Sequence, residues 1–218
     1  MTLNPCGSSW RSGARRRLAL VGALACALLA SSCSLFSSKP DEPDWTFGAD
    51  AIFLQFKADT NLNLYDREPH TVAVGLFQLD SPNAFQNLVA TADGASQLLS
   101  QGKVDKSVLS FDRFFIPPGG TMTQVFDRLE GAKFVGLVIG YFDLSRTARV
   151  SVFKPVPTGE VQEGFLFTTG KAQPTLLWLR VGLGSDGVVS VEQLSQADAE
   201  AMQKKQGAKG ADGGPAGW

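Results

Sequence analysis

Between residues 51 and 193 the chain runs as short stretches of Val, Ile, Leu, Phe and Thr, most of them closed by Gly, Pro or Asp, and this rhythm narrows the fold more than any other feature. Strands are expected from Ala51 to Ala58, Thr71 to Leu79, Ser107 to Ile116, Thr121 to Leu129, Lys133 to Phe142, Arg149 to Phe153, Thr175 to Leu183 and Val188 to Gln193. Pro117-Pro118-Gly119-Gly120 supplies one turn, and Gly184-Ser185-Asp186-Gly187 reads as the turn of a closing hairpin. In the first strand of that hairpin Leu177, Leu179, Val181 and Leu183 fall on one face. Trp178 and Arg180 take the other, where Trp178 is expected to cover an edge or meet a partner. One interval breaks the pattern: from Ser81 to Ser100, Ala84, Phe85, Leu88 and Val89, then Leu98 and Leu99, recur at helical spacing, so one or two short helices follow the second strand. A βαβ fold would need long helices between successive strands. The expected architecture is therefore mostly β, a two-sheet sandwich with a small helical insertion.

The N-terminus is of a different character. The first 32 residues hold Arg11, Arg15, Arg16 and Arg17 and no acid, followed by an apolar run of 13 residues from Leu18 to Ala30. A helical membrane span needs roughly 20 apolar residues, so this run reads as the core of a secretory signal. Leu29-Ala30-Ser31-Ser32-Cys33 resembles a bacterial lipobox, which makes Cys33 the expected lipid-bearing N-terminus of the mature protein. Each buried CH₂ contributes about 0.8 kcal/mol, so a cysteine carrying two or more acyl chains of palmitate type stays on a membrane. Ser34 follows the cysteine in place of the Asp that marks inner-membrane retention, which points to the periplasmic face of the outer membrane. The expected layout is a signal over residues 1–32, a lipidated tether over 33–46, a β-sandwich over 47–194 and a tail over 195–218 with Ser195 capping a short helix. The Gly- and Pro-rich interval from Pro155 to Pro174 reads as an irregular excursion.

Processing of this kind leaves little chemistry to the domain. Cys6 and Cys26 leave with the signal and Cys33 carries lipid, so the mature domain has no thiol for a disulfide, a metal or a nucleophile. His70 is the single imidazole, which excludes a zinc site built on two or three histidines. Gly182-x-Gly184-x-x-Gly187 matches the dinucleotide fingerprint in form, yet Val188-Val189-Ser190-Val191 follows it where a helix is required. Asp66, Arg67 and Glu68 read as a solvated loop. With 20 basic and 21 acidic residues, the chain lacks the positive excess of a nucleic-acid binder. No enzyme, cofactor or metal is expected, and a binding or scaffolding domain is what remains.

Leu62-Asn63-x-Tyr65, Pro69-His70-Thr71-Val72 and Gln78-Leu79-Asp80-Ser81-Pro82-Asn83-Ala84-Phe85 resemble, in order, the SciN (TssJ) family of type VI secretion outer-membrane lipoproteins. Asp127-Arg128-Leu129-Glu130-Gly131-Ala132-Lys133-Phe134-Val135-Gly136, Gly140-Tyr141-Phe142-x-Leu144 and Leu183-Gly184 continue the likeness, whereas residues 155–171 and the chain after Gln193 have no counterpart. The resemblance implies a transthyretin-like sandwich held by lipid to the outer membrane. It implies as partner the periplasmic C-terminal region of TssM, the IcmF-like inner-membrane protein, and through it TssL. It further implies that the loop between the first two strands, Thr60 to His70, takes part in partner binding. In that loop Asn61, Asn63, Tyr65, Asp66 and Arg67 can supply an aromatic anchor with a polar rim. Equally, Leu62, Leu64 and Tyr65 can pin the loop to its own core. The alternative function is a periplasmic ligand- or carbohydrate-binding sandwich that uses Trp178 as a platform.

Overall fold

The computed structural model of the chain describes residues 42–160, 172–195 and 197–198. The expected signal, Cys33, the tether up to residue 41 and the tail beyond residue 198 lie outside the described residues.

Sheet I carries β1 (Gly48–Ala58), β4 (Thr121–Arg128), β9 (Leu177–Leu183) and β10 (Val188–Gln193), in the order β10-β9-β1-β4. Sheet II carries β2 (Val72–Leu79), β3 (Val108–Ile116), β5 (Phe134–Ile139) and β6 (Ser151–Pro155), in the order β3-β2-β5-β6. A short ribbon pairs β7 (Thr158–Glu160) with β8 (Ala172–Pro174), so the two ends of the expected irregular excursion are in fact an antiparallel pair. Among the described residues β1 and β9 form the one parallel pair, with Ile52 opposite Leu177 and Ala58 opposite Leu183.

Alternation along the strands builds the core between the sheets. Ile52, Leu54 and Phe56 of β1 and Leu177, Leu179, Val181 and Leu183 of β9 meet Val72, Val74 and Leu76 of β2 and Val135, Leu137 and Ile139 of β5. β2 departs from simple alternation because both of its faces are covered: all but one of its residues are buried. Its outer face receives α1 (Asn83–Val89) and α2 (Ala92–Gln101), whose Phe85, Ala95 and Leu98 pack with Phe77, Leu79, Val108 and Val138 in a second core. Gly136 makes this possible. A Cβ there would stand 2.4 Å from Cζ of Phe85, so the helix lies close only because β5 has no side chain at that point. Thr91 caps α2 by accepting a hydrogen bond from the Gly94 amide at 3.1 Å.

Three expectations are corrected. Trp178 does face away from the inter-sheet core, but it is fully buried and meets no solvent-exposed edge. It stacks on Phe53, its register partner on β1, with ring centroids 4.8 Å apart and planes 6° from parallel, and Leu176 and Leu194 pack against the pair. The carbohydrate platform therefore does not exist at this residue. The fifth strand ends at Ile139 and not at Phe142: the Gly140 amide still donates to the Ala73 carbonyl in register with β2, but the Tyr141 amide turns back to the Ile139 carbonyl at 2.9 Å. The sixth begins later than expected, after the single turn α3 (Thr147–Val150).

Candidate functional site

Two loops and a hairpin turn converge at one end of the sandwich. The β1–β2 loop leaves the sheet at Asp59, whose amide donates to the Leu183 carbonyl at 2.8 Å. Its carboxylate accepts from the Asn61 amide at 2.8 Å, a local turn that Asp favours. Leu62 then drops into the core with no exposed surface. The next two amides, of Asn63 and Leu64, donate to the Gly184 and Ser185 carbonyls, so the loop is laid along the β9–β10 turn.

At the tip, Tyr65 and Glu68 exchange backbone hydrogen bonds of 2.9 and 3.0 Å around Asp66 and Arg67, which hold φ values of 50° and 68°. Two successive left-handed residues are the mark of a tight primed turn, comfortable for Asp and costly for Arg by about 1–2 kcal/mol. His70 closes the loop: its amide donates to the Leu62 carbonyl and its Nδ1 donates to the Glu68 carbonyl at 2.9 Å.

This scaffold presents apolar surface outward. Leu64 is 45% exposed, Tyr65 48% and Phe142 65%. The Tyr65 and Phe142 rings stack with centroids 3.6 Å apart, and the His70 ring meets Tyr65 edge-on at 6.3 Å. Charges rim the stack. Asp186 in the hairpin turn accepts from Arg146 and, at 2.7 Å, from Arg149, while Asp143 lies across from Arg146. Hydrogen bonds from Ser145 hold the Asp143 carboxyl below its ordinary range. Beneath the surface Tyr141 is buried, and that burial pushes its phenol above the usual value. Exposed aromatics surrounded by paired charges have the anatomy of a protein interface; among the described residues no group of acids and histidines is disposed to hold a metal ion.

The residues singled out in the sequence divide into two kinds. Asn61, Tyr65, Asp66 and Arg67 are on the outside, as an interface requires. Asn63 is not. Only 8% exposed, at a φ of 48°, it turns its Oδ1 inward to accept the Phe142 amide at 2.7 Å. Its part is to fasten one loop to the other. Of the three residues able to pin the loop to its own core, Leu62 does so and Leu64 and Tyr65 do not. Phe142 was missed as a surface residue because its apolar run continues β5; Gly140 was the available signal that the strand ends.

The comparisons with known proteins bear on the family and the fold. The model of the T6SS-SciN family, described as type VI secretion lipoprotein (VasD, EvfM, TssJ), matches residues 50–180, more than half of the chain. Lip of Serratia marcescens, a membrane-bound component of the type VI secretion system, is 21% identical with a TM-score of 0.51, over 66% of this chain and 97% of that one. The T6SS lipoprotein TssJ1 of Pseudomonas aeruginosa is 20% identical with a TM-score of 0.48, over 69% of this chain and 97% of that one. No curated protein matches by sequence. The Serratia likeness supports the same two-sheet fold, and the family match spans the sequence from β1 into β9, with α1, α2, α3 and the β1–β2 loop included: the chain belongs to the type VI secretion lipoprotein family.

Proposed function

We propose that this lipoprotein is held by acylated Cys33 on the periplasmic face of the outer membrane and anchors the type VI secretion membrane complex there by binding the periplasmic C-terminal region of TssM, with TssL joined indirectly. The observation that carries the reading is the exposed Tyr65–Phe142 stack on a loop tied down by its own hydrogen bonds. Partner binding buries such a pair at small entropic cost, and the Asp66, Arg67, Arg146 and Asp186 charges form the rim. Capture of the full chain by the periplasmic part of TssM tests it. Tyr65→Ala with Phe142→Ala is expected to weaken capture about 30-fold or more, corresponding to about 2 kcal/mol. Absence of wild-type binding at micromolar concentration refutes the partner. Cys33→Ala is expected to move the folded protein from the membrane to the soluble periplasmic fraction; retention in the membrane refutes the anchor.

A further inference from the structure

Away from the stacked aromatics, at the start of β1, lies a cavity of about 320 Å³ between residues 46–51 and residues 173–176. Arg128, the last residue of β4, lines it and is only 3% exposed. Its Nε and Nη1 have no hydrogen-bond partner, and among the described residues no carboxylate lies within ion-pair distance of it. Burial alone draws its proton affinity down, with no neighbouring charge contributing. A guanidinium does not solve this by losing its proton, as a lysine or histidine would. A buried charge left without a counter-charge is among the costliest arrangements in a folded chain.

Its surroundings add a second unpartnered donor. The Trp45 ring lies 6.0 Å from the guanidinium carbon, at the edge of cation–π range, and its Nε1 is likewise buried without an acceptor. Thr46, Gln173 and Thr175 add polar groups to a wall otherwise made of Phe47, Ala49, Ala51, Pro174 and Leu176. Gly48 leaves room beside the fork: a Cβ there would stand 3.2 Å from Nη2 and 3.5 Å from Nε.

We infer that this cavity is an oxyanion site, taking a small carboxylate or phosphate group as the counter-charge of Arg128. The guanidinium supplies charge-assisted hydrogen bonds, and Thr46, Gln173 and Thr175 orient the ligand. The site is independent of the proposed TssM surface.

Purified full chain in detergent, titrated with sodium phosphate and separately with sodium acetate against sodium chloride of equal ionic strength, tests the inference. The expected result is a saturable rise in Tm with at least one of the two oxyanions beyond that with chloride, together with movement of the Arg128 Nε–H signal in a ¹⁵N spectrum. The arm that responds at lower concentration identifies the ligand class. Arg128→Met is expected to abolish the response. Gly48→Ala keeps the charge but crowds the fork, and is expected to weaken binding about tenfold; it decides the matter if Arg128→Met does not fold. An Nε–H signal unmoved by either oxyanion, or an equal response in Gly48→Ala, overturns the assignment.

Discussion

Asn63 is the pivot of the proposed docking surface, and replacing it separates two contributions that the structure superposes. Asn63→Ala removes the acceptor of the Phe142 amide and leaves a Cβ-bearing residue without Asn's tolerance for a φ of 48°. Loss of a hydrogen-bond partner costs about 1–3 kcal/mol when the orphaned group is sealed off. The bond to the Phe142 amide is only partly buried, so the lower end, about 1 kcal/mol, applies. Left-handed backbone costs roughly 1–2 kcal/mol for an ordinary residue and less for Asn. The sum is about 2 kcal/mol, or a fall in Tm of roughly 4–8 °C for a domain of this size. Asn63→Gly removes the hydrogen bond but not the permissive backbone, and should cost about half as much; Asn63→Asp keeps the acceptor and should cost least. Urea denaturation of the three variants checks the order, and TssM capture should weaken in step because the Tyr65–Phe142 stack loses its fastening. If Asn63→Ala unfolds within 0.5 kcal/mol of the wild type, a threshold set by ordinary surface substitutions, the fastening argument is wrong.

Trp178→Ala should cost about 3–5 kcal/mol by opening a cavity over Phe53. Trp178→Phe should cost much less, since the buried Nε1 makes no hydrogen bond to lose; equal losses in a denaturation series would refute that. Gly136→Ala drives a Cβ to within 2.4 Å of the Phe85 ring and should destabilise by about 1–3 kcal/mol, with hydrogen exchange in α1 rising most. For Asp143, hydrogen bonds from Ser145 place the folded carboxyl below the ordinary 3.8. Its contribution is therefore complete above that ordinary value and lost as pH falls through the lower folded one. The Ser145 amide shift in an NMR titration should report a midpoint below 3.8, and a midpoint above it would contradict the bond.

Strands with one solvated face and chemically marked turns could be read from residue order alone: β9 and β10, joined at Gly184 to Gly187, are where alternation and turn chemistry put them. The helical insertion was legible for the same reason, since Phe85 and Leu98 keep their spacing whatever they pack against. What escaped were relations between distant segments. Period two assigns Trp178 a face, but says nothing of Leu194 closing over it. Nothing local to Asn63 shows that its side chain serves Phe142, 79 residues later. Arg128 resembles any charged strand terminus until Trp45 and the residues around Gly48 are seen to enclose it.

The parallel union of β1 with β9 also dictates a timetable. Gln55 and Arg180, hydrogen-bonded neighbours across that seam, are separated by 125 positions in the chain. Sheet I thus stays unfinished until almost the last strand has been added, and contacts of such high sequence separation form slowly. During that interval β1 offers bare backbone to any neighbour, the condition that invites misassembly. A copy of the polypeptide cut short before Leu177 would lack the strand that completes β1, and is expected to aggregate or be degraded instead of serving as a smaller working subunit.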